Sequence, residues 1–295
     1  MPITEVEGRR LKLSHLDRVL WPRTGTTKAE LLHYYASVAA ALLPYTYGRP
    51  VSFVRTPDGV EGQRFFQKRP PAGTPEWVTV SQTLRNSGEL MDQVQVNDLP
   101  TLIWAGNLAC VEIHTPQWRA AEPRTADRLV IDLDPGPDRT VIDCCRVALL
   151  LRDRLAEDGI ETWAKTSGSK GLHLYAALRG ADSRSVSDYA KRVAQELERG
   201  HPDRVVSRMT KADRTGRVFI DWSQNSAKKT TATAYTVRAR ELPTVSAPVS
   251  WREVAAAREP EELVFTIHDV PGRVADQGDL LAGLLDPGNA AALPG

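Results

Sequence analysis

The chain has 295 residues, with 38 Lys plus Arg against 37 Asp plus Glu, a net charge of +1. That length suits one large body with a sizeable core, and hydrophobic (41%) and charged (25%) fractions this ordinary set aside disordered and fibrous classes. No run reaches the roughly 18 apolar residues of a membrane helix, Met1–Ser14 lacks the apolar core of a signal peptide, and Cys110, Cys144 and Cys145 lack zinc spacing, so reduced, mostly buried thiols and a cytoplasmic location are expected.

In chain order, Thr27-Lys28-Ala29-Glu30 forms a capping box. Leu31, Leu32, Tyr35, Val38, Ala39 and Leu42 follow at helical spacing, and Pro44 and Gly48 end that helix. Val51–Arg55 predicts a strand, then a turn at Pro57-Asp58-Gly59. Leu129–Leu133 predicts a buried strand, broken by Pro135-Gly136-Pro137. A helix over Val141–Leu155, strands over Thr162–Lys165 and Leu172–Leu178 around the loop Thr166–Gly171, and an amphipathic helix over Ser187–Glu198 come next. Val218–Trp222 and Ala232–Arg238 close the set as strands, and beyond Pro271 only Leu280–Leu285 is helix-like, so the tail 271–295 is expected to be loosely held. Hairpin-like strand pairs mixed with long helices predict an α+β fold.

The sharpest chemical signal is Ile131-Asp132-Leu133-Asp134-Pro135-Gly136. Strand side chains alternate, so Asp132 and Asp134 share a face about 7 Å apart and repel. A divalent cation such as Mg²⁺ or Mn²⁺ relieves that repulsion. The same spacing is also ordinary strand-end and turn chemistry. Asp221 lies inside the apolar run Val218-Phe219-Ile220-Asp221-Trp222; if its strand neighbours the first, the three carboxylates converge as in two-metal phosphoryl transfer.

Other segments speak for phosphate. Thr166-Ser167-Gly168-Ser169-Lys170-Gly171-Leu172-His173 joins two strands with glycines, hydroxyls and one cation, without Walker A spacing. Glu112 and His114 point the same way if their segment is a strand. Lys28 sits in a first helical turn, where a cation is unfavourable unless an anion lies near, and Arg18 is able to join it. Phe65-Phe66-Gln67-Lys68 sets aromatics beside cations, fit either for stacking on bases or for the core. Between Arg204 and Arg240 there are nine basic and two acidic side chains, which suits a phosphate-facing wall or a solvated surface.

These motifs occur together, in this order, in the polymerase domain of bacterial ligase D, a branch of the archaeo-eukaryotic primase superfamily, which the chain resembles from about residue 10 to residue 255. Val19-Leu20-Trp21-Pro22, Gly25-Thr26-Thr27-Lys28, Glu112-Ile113-His114-Thr115-Pro116-Gln117-Trp118 and Phe219-Ile220-Asp221-Trp222-Ser223-Gln224-Asn225 also carry the likeness. The resemblance implies a primase-type catalytic core, a mixed or antiparallel central sheet carrying three aspartates and flanked by helices. It implies one domain over residues 1–270, with the core at about 129–240 and a DNA-binding side at about 1–128.

It also implies roles: Asp132, Asp134 and Asp221 as catalytic metal ligands; His114, Ser167, Lys170, His173, Gln224 and Arg238 at the nucleotide; and His15, Arg18, Lys28, Arg55, Phe65, Phe66, Lys68, Lys211 and Arg214 at DNA. His15 and Arg18 stand where relatives often carry Asn and Lys, and Thr56 where an aromatic is common. The implied activity is template-dependent addition of an NTP or dNTP to a primer 3′-hydroxyl at breaks and short gaps in non-homologous end joining, with Mn²⁺ or Mg²⁺ in a two-ion site. Implied partners are gapped or broken DNA with a 5′-phosphate, a Ku-like end-binding protein and a separate DNA ligase, on the nucleoid and with no membrane. The alternatives are a primase or short-gap filler in excision repair, a non-catalytic DNA-end-bridging protein, and a metal-dependent nuclease.

Overall fold

The computed structural model describes residues 2–84 and 89–294. Contacts divide the chain into two compact units. The first comprises Met1–Thr115, Thr230–Ser246 and Phe265–Gly278; the second comprises Pro116–Lys229, Ala247–Val264 and Asp279–Gly295. Each is thus assembled from three stretches of chain.

In the first unit, β1 (Ile3–Val6) and β2 (Arg9–Lys12) form a hairpin, and β3 (Val19–Trp21) pairs with β4 (Thr26–Thr27). The capping box then starts α1 (Lys28–Thr46): Thr27 Oγ1 accepts the Glu30 N–H, and the Glu30 carboxylate accepts the Thr27 N–H at 2.8 Å. Pro44 does not end this helix, since in its last turn a proline removes only one donor, and Tyr47 N–H still reaches Leu43 O at 2.9 Å. β5 (Ser52–Arg55), β6 (Phe65–Gln67), β7 (Val80–Leu84), β8 (Leu90–Val94), α2 (Leu99–Asn107) and β9 (Cys110–Thr115) follow. Leu31, Tyr35, Val38 and Leu42 of α1 are buried, the stripe read from the sequence.

The second unit opens on β10 (Thr125–Pro135), longer at its start than the apolar run, followed by α3 (Val141–Glu157), β11 (Trp163–Thr166), β12 (Leu172–Asp182), α4 (Ser183–Gly200), β13 (Val205–Val206) and β14 (Val218–Asp221). Helices α3 and α4 pack against β10 and β12 and against each other.

The last third returns to both units. β15 (Thr231–Ala232) pairs with β9, but the strand expected to run on to Arg238 stops there. Tyr235 takes φ +65°, and the N–H groups of Thr233, Tyr235 and Arg238 go to Ile113 O, Ser246 O and Thr244 O, so local turns replace a ladder. β16 (Pro248–Val249) then adds to β11 in the second unit, followed by α5 (Trp251–Ala256), while α6 (Val270–Gln277) packs on α1 in the first. The tail is pinned where looseness was expected: Leu281 and Leu284 are buried, and Ala291 bridges Leu178 in parallel.

The fold is α+β, as the element pattern predicts. Among the described residues the second unit holds a six-stranded sheet in the order β13-β14-β10-β12-β11-β16, antiparallel except at β13–β14, and the first a four-stranded antiparallel sheet in the order β15-β9-β5-β6. Among the described residues no helix is long and apolar enough to cross a membrane.

Candidate active site

β10 lies between β12 and β14, and its register sets the site. Asp132 is the Cα partner of His173 on one side and of Asp221 on the other, and His173 is in turn the partner of Lys165 on β11. Paired residues of antiparallel neighbours share a face. Lys165, His173, Asp132 and Asp221 therefore form one row across four strands, with Asp134 on the same face two residues along β10. Leu129, Ile131 and Leu133 occupy the opposite face, and all are buried.

The row is bonded along its length. Lys165 Nζ lies 2.9 Å from His173 Nδ1, and His173 Nε2 lies 3.2 Å from Asp132 Oδ1. Asp221 accepts from Ser223 N–H at 3.0 Å, from Gln224 Nε2 at 2.9 Å and from the Ser223 hydroxyl. Lys229 Nζ is 3.7 Å from Asp221 Oδ2 and also meets the Ser223 hydroxyl. Paired across the strands, Asp132 and Asp221 bring two like charges near one another, and basic side chains stand at both ends of the row.

The donor set fits a hard divalent cation: three carboxylates, two directly opposed and a third on the same face. As placed, no three His, Cys, Asp or Glu side chains among the described residues converge on one ion position. Asp221 is turned onto Ser223, Gln224 and Lys229 instead. The register brings the backbones of Asp132 and Asp221 together.

The loop between β11 and β12 is ordered by its own serine. Ser167 Oγ accepts the N–H groups of Ser169 at 3.2 Å and Gly171 at 3.0 Å, and Ser167 N–H donates to Gly171 O at 2.9 Å. Lys170 is exposed at its tip. A Cβ on Gly171 would lie 2.0 Å from Leu133 O, the carbonyl between the two aspartates, and one on Gly136 would lie 1.8 Å from Arg214 O. Both glycines permit backbone contacts that no other residue allows.

In the first unit, β9 places Glu112 and His114 on one face, as strand alternation predicts. His114 Nε2 is 2.7 Å from Glu112 Oε2, Arg238 Nε lies 3.2 Å from the same oxygen, and Ala239 N–H donates to Oε1 at 2.9 Å. Burial alone would raise the Glu112 pKa, but the bond and charge of His114, the charge of Arg238 and the Ala239 N–H together push it down to about 2. A carboxyl depressed from an ordinary 4.5 stabilises the fold above pH 4.5, and that contribution is lost as pH falls towards 2. Thermal melts of wild type and Glu112→Gln should therefore differ by about 3 kcal/mol at pH 7 and draw together between pH 4.5 and 2. A difference that persists unchanged at pH 2 would contradict this.

The remaining expected contacts fall as follows. Phe65 and Phe66 lie on β6, the edge strand of its sheet, and are 41% and 56% exposed, so neither is a core residue. Lys68 Nζ approaches the Phe66 ring at 5.9 Å, and Phe66 meets the His114 ring edge-on at 6.0 Å. Arg55 donates to Leu108 O and Gln67 Oε1. His15 and Arg18 are exposed, His15 with φ +47° and Arg18 donating to Pro57 O at 2.6 Å. Lys28 is 4% exposed and donates to Asn107 O at 2.9 Å and Ser14 Oγ at 3.3 Å; burial, then Arg18, lowers its pKa. In the second unit Lys211 is exposed, while the Arg214 guanidinium lies 3.6 Å over the Phe219 ring and donates to Met209 O. The three cysteines are free and buried.

The roles of Lys165, Lys229 and Ser223 do not follow from the motifs alone. A charge inside an apolar strand is the signal that marks Asp221, and Lys165 carries it too.

An α+β fold whose mixed sheet carries three aspartates beside a serine-glycine loop is the arrangement expected of a primase-polymerase domain. The family model described as LigD, primase-polymerase domain matches residues 27–281. The multifunctional non-homologous end joining protein LigD of Mycolicibacterium smegmatis is 42% identical over 278 residues, covering 93% of this chain and 36% of the relative. That of Pseudomonas aeruginosa is 33% identical over 280 residues, covering 92% and 32%. The solved polymerase domain of Mycobacterium tuberculosis ligase D, in complex with DNA, superposes with a TM-score of 0.89 at 41% identity, covering 96% of this chain and 99% of that one. The chain belongs to the LigD primase-polymerase domain family. It spans about a third of the length of these curated relatives.

Proposed function

We propose that the chain adds NTPs or dNTPs to a primer 3′-hydroxyl under the direction of a template strand, at DNA breaks and short gaps in non-homologous end joining. The observation that carries this is the in-register opposition of Asp132 and Asp221, with Asp134 beside them and the Ser167–His173 loop next to the same strand. Mg²⁺ or Mn²⁺, bound by these aspartates, would lower the pKa of the 3′-hydroxyl and neutralise charge on the triphosphate. Asp132, Asp134 and Asp221 hold that charge in place. Ser167, Lys170, His173 and Gln224 orient the phosphates, and His114 and Arg238 are assigned to the same substrate. Catalysis is then mostly positioning and electrostatics.

Phe65, Phe66 and Lys68 are suited to stack on and accompany exposed bases. Lys211, Arg214 and Arg55 are assigned to the DNA backbone. His15, Arg18 and Lys28 are assigned to a 5′-phosphate on the far side of a gap; Arg18 is exposed whereas Lys28 is buried. Lys28→Ala removes two partly buried hydrogen bonds as well as a charge, so it should melt earlier. Arg18→Ala is the cleaner probe: the preference for a 5′-phosphorylated over an unphosphorylated gap should fall several-fold, by analogy with one charged phosphate contact. Equal preference before and after would remove the assignment.

A Ku-like end-binding protein, a DNA ligase and a place on the nucleoid belong to the same proposal. Gapped duplexes carrying each of the four template bases test the activity: the nucleotide added should follow the template. Synthesis on single-stranded DNA without a primer would instead favour a primase, and strand cleavage a nuclease.

A further inference from the structure

In the first unit, the segment that carries His15 and Arg18 is held from both ends. On one side the start of α1 is spent on it: Lys28 N–H donates to Arg18 O at 2.8 Å and Ala29 N–H to Leu16 O at 2.9 Å. The next donor, Glu30 N–H, goes to Thr27 Oγ1. These three N–H groups of the helix end are used by the chain itself, so an anion at this place depends on the side chains of Arg18 and Lys28.

On the other side stands Asn107, the last residue of α2. Its Oδ1 accepts the Ser14 N–H at 3.0 Å, its Nδ2 donates to Lys12 O at 3.1 Å, and its backbone O accepts from Lys28 Nζ at 2.9 Å. Ser14 Oγ accepts from the same ammonium at 3.3 Å. One residue thus fixes the chain just before His15 and takes one of the three N–H donors of Lys28. Gly106 brings Asn107 within reach: a Cβ there would lie 2.7 Å from Leu32 Cδ2 and 3.1 Å from Tyr35 Cδ2, so α2 lies close against α1, and Lys28 is about one turn before Leu32.

Between the two holds, His15 takes φ +47° and Arg18 N–H closes a turn onto His15 O at 3.1 Å. A left-handed backbone is unfavourable for histidine and persists where its surroundings hold it. We propose that Asn107 is a positioning residue for recognition of a 5′-phosphate: by tying Lys12 and Ser14 and seating the Lys28 ammonium, it keeps the His15–Arg18 turn in the shape that presents Arg18 and Lys28 to one anion. This rests on the 5′-phosphate assignment made above and not on the polymerase activity. Without the Asn107 amide the strained turn loses one of its two holds, and Arg18 moves with it.

The test is binding of the full chain, by fluorescence anisotropy without nucleotide or metal, to gapped duplexes that carry a 5′-phosphate or a 5′-hydroxyl. Asn107→Ala removes both side-chain bonds and leaves the carbonyl that receives Lys28. Its preference for the phosphorylated duplex should fall about fivefold, the scale of one hydrogen bond, while affinity for the hydroxyl duplex changes much less. In an Arg18→Ala background the same substitution should cost less, because both act on one site. An unchanged preference, or equal loss of affinity for both duplexes, would overturn the proposal. If Asn107→Ala fails to fold, hydrogen exchange in wild type decides: the Ser14 N–H should gain protection with the phosphorylated duplex alone, and equal protection with both would overturn it. Wild type that binds both duplexes equally would remove the 5′-phosphate assignment itself, and the inference with it.

Discussion

Asp132→Ala should lower primer extension by about 10³-fold or more, while DNA affinity changes little. Asp132 is the one carboxylate that meets both halves of the row, His173 at 3.2 Å and, across the strand pair, Asp221. Removing it takes away a proposed metal ligand and the carboxylate that His173 Nε2 faces. Loss of metal-centred charge stabilisation of about 4 kcal/mol corresponds to about 10³ in rate. DNA affinity is expected to come from phosphate-facing cations elsewhere, so it should survive. Extension and fluorescence anisotropy on the same gapped duplex separate the two. Full activity in the variant would remove the aspartates from the reaction, and joint loss of binding would point to misfolding.

Gly171→Ala should be among the most damaging substitutions outside the aspartates. The new Cβ would stand 2.0 Å from Leu133 O, a backbone atom, so either the Ser167–Gly171 loop or the aspartate strand must move. Overpacking of this kind costs roughly 1–3 kcal/mol in stability, and a shift of about 1 Å at a reacting site costs about 10²-fold in rate. The variant should therefore melt several degrees lower and extend about 10²-fold more slowly, with a raised KM for nucleotide. Gly180→Ala, where the added Cβ would meet only the Thr125 side chain but φ is +88°, is a useful comparison: it should cost stability without that rate loss. Wild-type kinetics in Gly171→Ala would show that the loop and strand are not coupled through this contact.

The parts of the fold that could be read from the sequence are those with strong local chemistry. The Thr27–Glu30 box starts its helix where expected, and alternation alone put Asp132 and Asp134 on one face. The neighbouring position of β14, on which the third carboxylate depended, is a property of the sheet; no local signal in Val218–Asp221 carries it. Ala232–Arg238 shows the reverse error. Its apolar alternation suits a strand, but Tyr235 turns into a left-handed conformation and the backbone bonds scatter to Ile113, Ser246 and Thr244. Phe65 and Phe66 remain outside the core because β6 is an edge strand. Lys28, whose place in a first turn points to a nearby anion, is drawn inward by Ser14 and Asn107. In each case the deciding partner is distant in sequence.

The most direct measurement is extension by wild type on a duplex with a one-nucleotide gap and a 5′-phosphate, supplied in turn with NTPs and dNTPs, in Mn²⁺ and in Mg²⁺. Template-matched addition with release of one pyrophosphate per nucleotide is the predicted result, and the same data give the sugar and metal preference. Tight DNA binding with no extension under any of these conditions would contradict the proposed activity and leave a protein that holds DNA ends without joining nucleotides to them.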